Sequence, residues 1–262
     1  MAYETIDLQV RDGIAHLMLN RPAAANSINL ELAKDLMEAT LACDEDPAVR
    51  AVLFTGAGRM FCGGGDLKTF AGQGAELPHY LKAVTTYLHA AMSRLTRMNA
   101  PVIAAVHGSA AGAGLSFVCA ADIVLAADNA KFTMAYTRAG LTPDGSSTYF
   151  LSRIVGLRRA LELALTSRVF SAAEAHTLGI VTHVVAEAEL QNEAAALAKT
   201  LAAGPTVALG ATKRLLHAGW TGTLETQMEL ETRAIADIAR THDAQEGIAA
   251  FVAKRPPVFR GS

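Results

Sequence analysis

Three stretches of this chain hold residue types and spacings that could do chemistry. The first is Phe61-Cys62-Gly63-Gly64-Gly65-Asp66-Leu67-Lys68. Three successive glycines expose backbone N–H groups and permit φ > 0. They follow the buried-strand pattern Ala51–Gly56, and Asp66 stands where a helix could begin. A strand, a glycine run and a helix start together suit an anion. A plain flexible turn is the competing reading. The Lys after the run does not make a phosphate-binding P-loop, because the GxxxxGK[ST] spacing is absent. The second stretch is His107-Gly108-Ser109-Ala110-Ala111-Gly112-Ala113-Gly114-Leu115-Ser116. It too follows a strand and leads into an Ala-rich helix, whose first N–H groups lack intrahelical partners. Tight helix–strand packing would also explain its small residues. The third is Gly140-Leu141-Thr142-Pro143-Asp144-Gly145-Ser146-Ser147. Asp144 there is either an acid–base group or an N-cap for a helix beginning near Ser146.

The elements that must position these residues alternate strand and helix. Residues 5–10 alternate apolar and polar, and Asp12-Gly13 separates them from Ile14–Leu19, which predicts a hairpin. Helical spacing appears over 29–43 and from Pro78 to Met98. Short buried strands are predicted at 51–56, 102–106 and 123–126, with a fourth over 131–136 and a last one over 180–185. Residues 110–121 read as helix. Ser171-Ala172-Ala173-Glu174 is a capping box, with Gly179 suited to end its helix. From about residue 192 the pattern is helical throughout, including a long stretch from Leu224 to Lys254. The expected architecture is therefore α/β over 1–200, followed by a helical region over 201–262.

The chain has 262 residues, 51% hydrophobic and 18% charged, so a large core can be buried. Its net charge of −2 gives no attraction to nucleic acid or to an anionic membrane, and neither partner is expected. Three scattered cysteines without a CxxC pair argue against a disulfide framework or a zinc site. No secretory leader is read at the N-terminus and no run of about 18 apolar residues occurs. A reduced, cytoplasmic compartment is expected.

Taken in order, the motifs resemble the crotonase (enoyl-CoA hydratase/isomerase) superfamily. The first stretch is similar to its F-C-[AS]-G-[AG]-D-[LI]-[KR] segment. The second is similar to its N/H-G-x-A-x-G-G-G run, with Ala113 replacing the middle glycine. Asn20-Arg21-Pro22 and Asn26 match its N-R-P-x-x-x-N, and Glu246-Gly247-Ile248 to Phe259 matches its C-terminal motif. The resemblance spans almost the whole chain. It implies a crotonase-like ββα superhelix with a C-terminal helical trimerisation region, assembled as a homotrimer or a dimer of trimers. It also implies an acyl-CoA thioester substrate and no separate cofactor, since coenzyme A is part of that substrate.

By the same resemblance, the N–H groups of Gly65 and Ala113 hold the thioester oxygen as an enolate forms. Ala24, Gly64, Asp66, Leu67, Lys68, Gly112 and Tyr136 line the coenzyme A or substrate path, while Phe251 and Lys254 reach coenzyme A, often from an adjacent subunit. Lys254 could equally be a simple surface group. The basic residue that the family often places after N-R-P is missing from Ala23-Ala24-Ala25. The two glutamates of the family's hydratases correspond to Ser116 and Tyr136, neither of them a carboxylate. Packing is the simpler role for both, and a nucleophilic Ser116 lacks a visible His–Asp support. Asp144 stands where isomerases of the family carry Asp or Glu and the hydratases carry Gly. The resemblance thus implies an isomerase of the Δ3,Δ2-enoyl-CoA or ring-epoxide phenylacetyl-CoA type with Asp144 catalytic. A hydratase or another enolate-forming lyase is the nearest alternative, and a non-catalytic acyl-CoA-binding protein the next. Phe70, Leu77, Tyr80 and Tyr87 suggest an apolar pocket wall.

Overall fold

The computed structural model describes residues 3–262. The chain opens with the hairpin β1 (Ile6–Arg11) and β2 (Ile14–Leu19). Its turn residues Asp12 and Gly13 have φ of 51° and 78°, so both occupy the left-handed region that a two-residue hairpin turn requires. Helix α1 (Leu30–Glu45) begins at Asn29, whose side chain accepts the Leu32 N–H. Strand β3 (Ala51–Gly56), helices α2 (Leu67–Ala71) and α3 (Leu77–Arg97), and strands β4 (Val102–Val106) and β5 (Ser109–Ala111) follow. Next come α4 (Ala113–Ala120), β6 (Ile123–Ala127), β7 (Lys131–Thr133), α5 (Ser147–Val155), α6 (Leu157–Thr166) and β8 (Phe170–Ser171). The chain continues through α7 (Ala172–Thr177), β9 (His183–Val185) and α8 (Leu190–Ala202). Helices α9 (Thr206–Gly219), α10 (Leu224–Ile238) and α11 (His242–Val252) complete it.

A six-stranded sheet has the order β1-β2-β3-β4-β6-β9, antiparallel only between β1 and β2. Every residue of β4 is buried, as expected of a parallel strand covered on both faces. Helix α8 covers β3, β4 and β6, while α1 and α3 pack against one another. A second sheet, β5-β7-β8, stands beside it. The two glycine-rich stretches leave the carboxyl ends of β3 and β4, where parallel α/β sheets place their ligand crevices.

The structure changes four of the expected elements. Residues 109–111 are strand, not helix, because Ser109 and Ala111 exchange backbone bonds with Cys62 while β5 pairs with β7. The helix starts only after Gly112, whose φ of 53° and ψ of −122° break the chain direction. Strand β7 ends at Thr133, and Ala135, at φ 53°, turns the chain into a 3-10 turn over Tyr136–Ala139. Strand β9 keeps only 183–185. The long C-terminal helix is two helices, since Thr241 caps α11 by accepting the Ala244 N–H. Among the described residues no single helix is long and apolar enough to cross a membrane.

Candidate active site

The two glycine-rich stretches meet back to back. The Phe61 N–H donates to the His107 carbonyl, the Cys62 N–H to that of Ser109, and the Ala111 N–H to that of Cys62. Gly64 has φ +95°, and a Cβ there would lie 2.8 Å from the Ala111 oxygen. At Gly114 a Cβ would fall 2.4 Å from the Cys62 oxygen. Only glycine permits this approach, which is why the small residues occur in both stretches. Asn26 locks the first stretch from behind. Its buried amide donates to the carbonyls of Ala57, Met60 and Phe61 at 2.8, 2.9 and 3.1 Å, and its oxygen accepts the Arg21 N–H. His107 Nε2 lies 2.9 Å from the Gly58 carbonyl, a structural link between the loops. The Cys62 thiol is pushed up to about 12 by burial, so it is a packing group and not a nucleophile.

A cavity of about 270 Å³ opens in front of these loops. Gly64, Gly65, Gly112 and Ala113 line one wall, and Tyr136 and Asp144 another. The N–H groups of Gly65 and Ala113 have no acceptor among the described residues. Gly65 falls outside the ladder, since its neighbours make the bonds to Ile28; Ala113 is the first residue of α4. They are two backbone donors available at one cavity, and such donors act without reorganising as a carbonyl oxygen gains charge.

In the same cavity, three side chains form one cluster. The Tyr136 hydroxyl donates to Asp144 Oδ1 at 2.5 Å. Its oxygen is 3.1 Å from Ser116 Oγ, which also lies 3.0 Å from the Asp144 carbonyl. Burial, and then the facing Asp144 carboxylate, push ionisation of Tyr136 well above the usual phenol range. Tyr136 is therefore a donor throughout the working pH range. The Asp144 side chain does not cap α5. Ser146 is the residue before that helix, and Asp144 supplies only its carbonyl, to the N–H and hydroxyl of Ser147. The N–H of Gly145 donates to His89 Nε2 at 3.2 Å, a contact with no signal in the sequence pattern. A second, open cavity of about 770 Å³ lies beyond Asp144, bordered by α3, α5 and α9.

The remaining lining is mainly apolar, with Ile28, Phe70, Leu81, Val84, Leu88 and Leu141 beside Lys82, Thr85 and Thr142. Of the expected wall residues, Phe70 is present and Leu77, Tyr80 and Tyr87 are not. Helix α3 presents 81, 84, 85 and 88 to the cavity from one helical face, with Lys82 beside them. Tyr80 instead accepts the Leu30 N–H and packs edge-on against Phe70. Leu67 stands on the cavity lip, half exposed. Ala24, Asp66, Lys68, Phe251 and Lys254 do not line the cavity. The Asp66 side chain is committed elsewhere, accepting the Thr69 N–H and pairing with Arg21 at 3.0 Å. Phe251 and Lys254 lie exposed at the end of α11.

Backbone donors and one carboxylate lining a largely apolar cavity fit a carbonyl substrate that must lose a proton. Comparison with known proteins gives the family. The family model described as "Enoyl-CoA hydratase/isomerase" matches residues 9–262. The chain is 40% identical over 259 residues to the 1,2-epoxyphenylacetyl-CoA isomerase of Escherichia coli K12, covering 98% of this chain and 99% of that one. It is 37% identical over 261 residues to a Rhodobacter capsulatus protein named "Probable enoyl-CoA hydratase", with full coverage of both. The crystal structure of an enoyl-CoA hydratase/isomerase from Cupriavidus metallidurans CH34 superposes with a TM-score of 0.91 at 34% identity, covering 100% of this chain and 98% of that one. With sequence and fold matching over residues 9–262, the chain belongs to the enoyl-CoA hydratase/isomerase family of the crotonase superfamily.

Proposed function

We propose that the protein is an acyl-CoA isomerase that works through a thioester enolate. One observation carries this choice: Asp144 is the one carboxylate among the described residues lining the cavity. The two positions that match hydratase glutamates hold Ser116 and Tyr136, and both hydroxyls face Asp144. Hydration by a glutamate pair needs two carboxylates around one water. Moving a proton between two carbons of one substrate needs one.

The thioester carbonyl lies against the Gly65 and Ala113 N–H groups, which stabilise charge as it grows on the oxygen. Asp144 removes the C2 proton of a 3-enoyl-CoA, and the electron pair moves into a dienolate. The same carboxylic acid returns a proton to C4, and the double bond moves into conjugation. A ring-epoxide phenylacetyl-CoA meets the same donors, and the similarity to the E. coli isomerase supports that substrate. The apolar wall suits an alkenyl chain or an aryl ring equally. Gly64, Gly112 and the backbone at Asp66, Leu67 and Lys68 belong to the coenzyme A path on this proposal.

Helices α10 and α11 expose Leu224, Met228, Ile235, Ile248, Phe251 and Val252. Their exposure supports a homotrimer or dimer of trimers built through residues 201–262, and analytical ultracentrifugation tests it. With Ala24, the exposed Phe251 and Lys254 would then serve coenzyme A, the latter two from a neighbouring copy. The function itself is tested by supplying 3-hexenoyl-CoA to the wild type and to Asp144→Asn. The wild type should generate the conjugated thioester absorbance and the variant should not. Loss of absorbance from a conjugated enoyl-CoA supplied with water would instead identify a hydratase. Binding without any Asp144-dependent turnover would identify an acyl-CoA-binding protein.

A further inference from the structure

We propose that Tyr136, backed by Ser116, is a positioning residue that fixes which oxygen of Asp144 handles the substrate proton. The inference rests on the isomerase reading above and goes beyond it. The turn carrying Asp144 is held at four points. Ser116 and Ser147 hydroxyls lie 3.0 and 2.9 Å from its carbonyl. The next N–H, of Gly145, donates to His89 Nε2. The fourth point is the phenol on Oδ1, at 2.5 Å. Oδ2 accepts no hydrogen bond among the described residues, and Asp144 borders both the glycine-lined cavity and the open one beyond it, so Oδ2 is the oxygen left for a substrate proton.

Ser116 has one proton and three acceptors within reach; the Asp144 carbonyl at 3.0 Å and the Tyr136 oxygen at 3.1 Å are nearer than the Gly112 carbonyl at 3.4 Å. Donation to Tyr136 strengthens the phenol as a donor, and donation to the carbonyl fixes the turn. Either way the serine supports the same carboxylate orientation. In the reaction the C2–H bond breaks and an Oδ2–H bond forms, the electron pair staying on the substrate as dienolate. The Oδ2–H bond then breaks as the C4–H bond forms. Because Tyr136 keeps Oδ1 occupied, one oxygen carries the proton in both steps and the carboxyl group does not rotate between them. The substrate's own proton is therefore delivered from C2 to C4 before it exchanges with water. The other charged or titratable groups bordering the two cavities beside this turn are Lys82, His89 and Arg97 from α3, Tyr149 from α5, and Arg214 and His217 from α9.

The experiment compares the full-length wild type with Tyr136→Phe, Ser116→Ala and Asp144→Asn, using 3-hexenoyl-CoA deuterated at C2. Four readouts are taken: kcat, KM, the acidic limb of the pH profile, and the share of label found at C4. Tyr136→Phe should lower kcat by about 10- to 100-fold, the scale of one hydrogen bond to a charged group, with KM little changed. Its acidic limb should move to higher pH, because a donor to the charged carboxylate is lost. Label transfer to C4 should fall as the freed carboxyl rotates and exchanges. Ser116→Ala should shift all three in the same direction by less. A role in packing alone would lower thermal stability and leave the limb and the label transfer in place. If Asp144→Asn is inactive while both hydroxyl variants keep wild-type kcat, pH limb and label transfer, the positioning role is overturned and the isomerase reading stands. A fully active Asp144→Asn overturns the isomerase reading itself. Should Tyr136→Phe not fold, Ser116→Ala decides by the same readouts.

Discussion

The two polar walls of the cavity are built on different principles. The glycine wall acts through backbone: the Gly65 and Ala113 N–H groups are set by strand bridges and by glycines that let the chains touch. The Asp144 wall acts through side chains brought together from α4, a 3-10 turn and a loop. A backbone wall can stabilise charge on any thioester and says nothing of what happens next. On the proposed mechanism the side-chain wall sets proton traffic, with Ser116 and Tyr136 where the family resemblance puts the hydratases' glutamate pair. On the proposed mechanism, the difference teaches that charge stabilisation is a backbone property and the choice of reaction a side-chain one.

Asp144→Asn isolates the side-chain wall and should have the largest effect. Turnover should fall by about 10²–10⁴-fold, the range of a lost general acid–base, while acyl-CoA binding measured by calorimetry persists. Equal loss of binding would break the division between walls.

Gly64→Ala attacks the other wall. The new Cβ meets the Ala111 oxygen at 2.8 Å from a residue with φ +95°, so the glycine stretches must separate. About a 100-fold drop in kcat is expected, the scale of one lost oxyanion donor. It should be similar for alkenyl and aryl thioesters, since the wall does not read the acyl group. A drop confined to one substrate class would contradict that.

Asn26→Ala tests what supports the glycine wall. Three carbonyls lose their donor at a fully buried position, and leaving buried acceptors unpaired costs about 3 kcal/mol in sum. Urea denaturation should show that loss. The activity that survives should retain the wild-type pH profile, because Asn26 touches nothing on the Asp144 wall.

The two walls also differ in how far the sequence discloses them. Backbone function leaves a trace, since only glycine fits at Gly64 and Gly114 and its spacing is visible in the chain. Helices α1 and α3 follow from periodicity and the hairpin from Asp12-Gly13. Side-chain clusters leave no such trace. Tyr136 and Ser116 are 20 residues apart and Asp144 is 28 from Ser116, so no local pattern discloses that they share hydrogen bonds. Each alone reads as packing or as a cap. His89 is less visible still, an exposed helix residue whose one ring contact is the Gly145 N–H. The strand Ser109–Ala111 is hidden for another reason. Two alanines favour helix locally, and pairing with Cys62 and β7 overrides that preference.

The smallest effect is expected at Asp66, which supports the glycine wall from its far end. Burial raises its carboxyl, but the Thr69 N–H and the Arg21 guanidinium outweigh burial and hold it below the 3.8 of a free aspartate. A carboxyl depressed in the folded state stabilises the fold at pH above its unfolded value. That contribution is lost as pH falls through the depressed folded value. Thermal midpoints of the wild type should therefore fall between pH 5 and pH 3, in part through Asp66 (a window of roughly one unit on each side of its ordinary value). Asp66→Asn removes the titrating group, so its midpoint should start slightly lower and decline less over the same window. Its kcat should change little, because the side chain is absent from the cavity lining. A large kcat loss with an unchanged acid slope would mean that Asp66 acts on the substrate itself, and would move a side-chain function onto the wall assigned here to backbone.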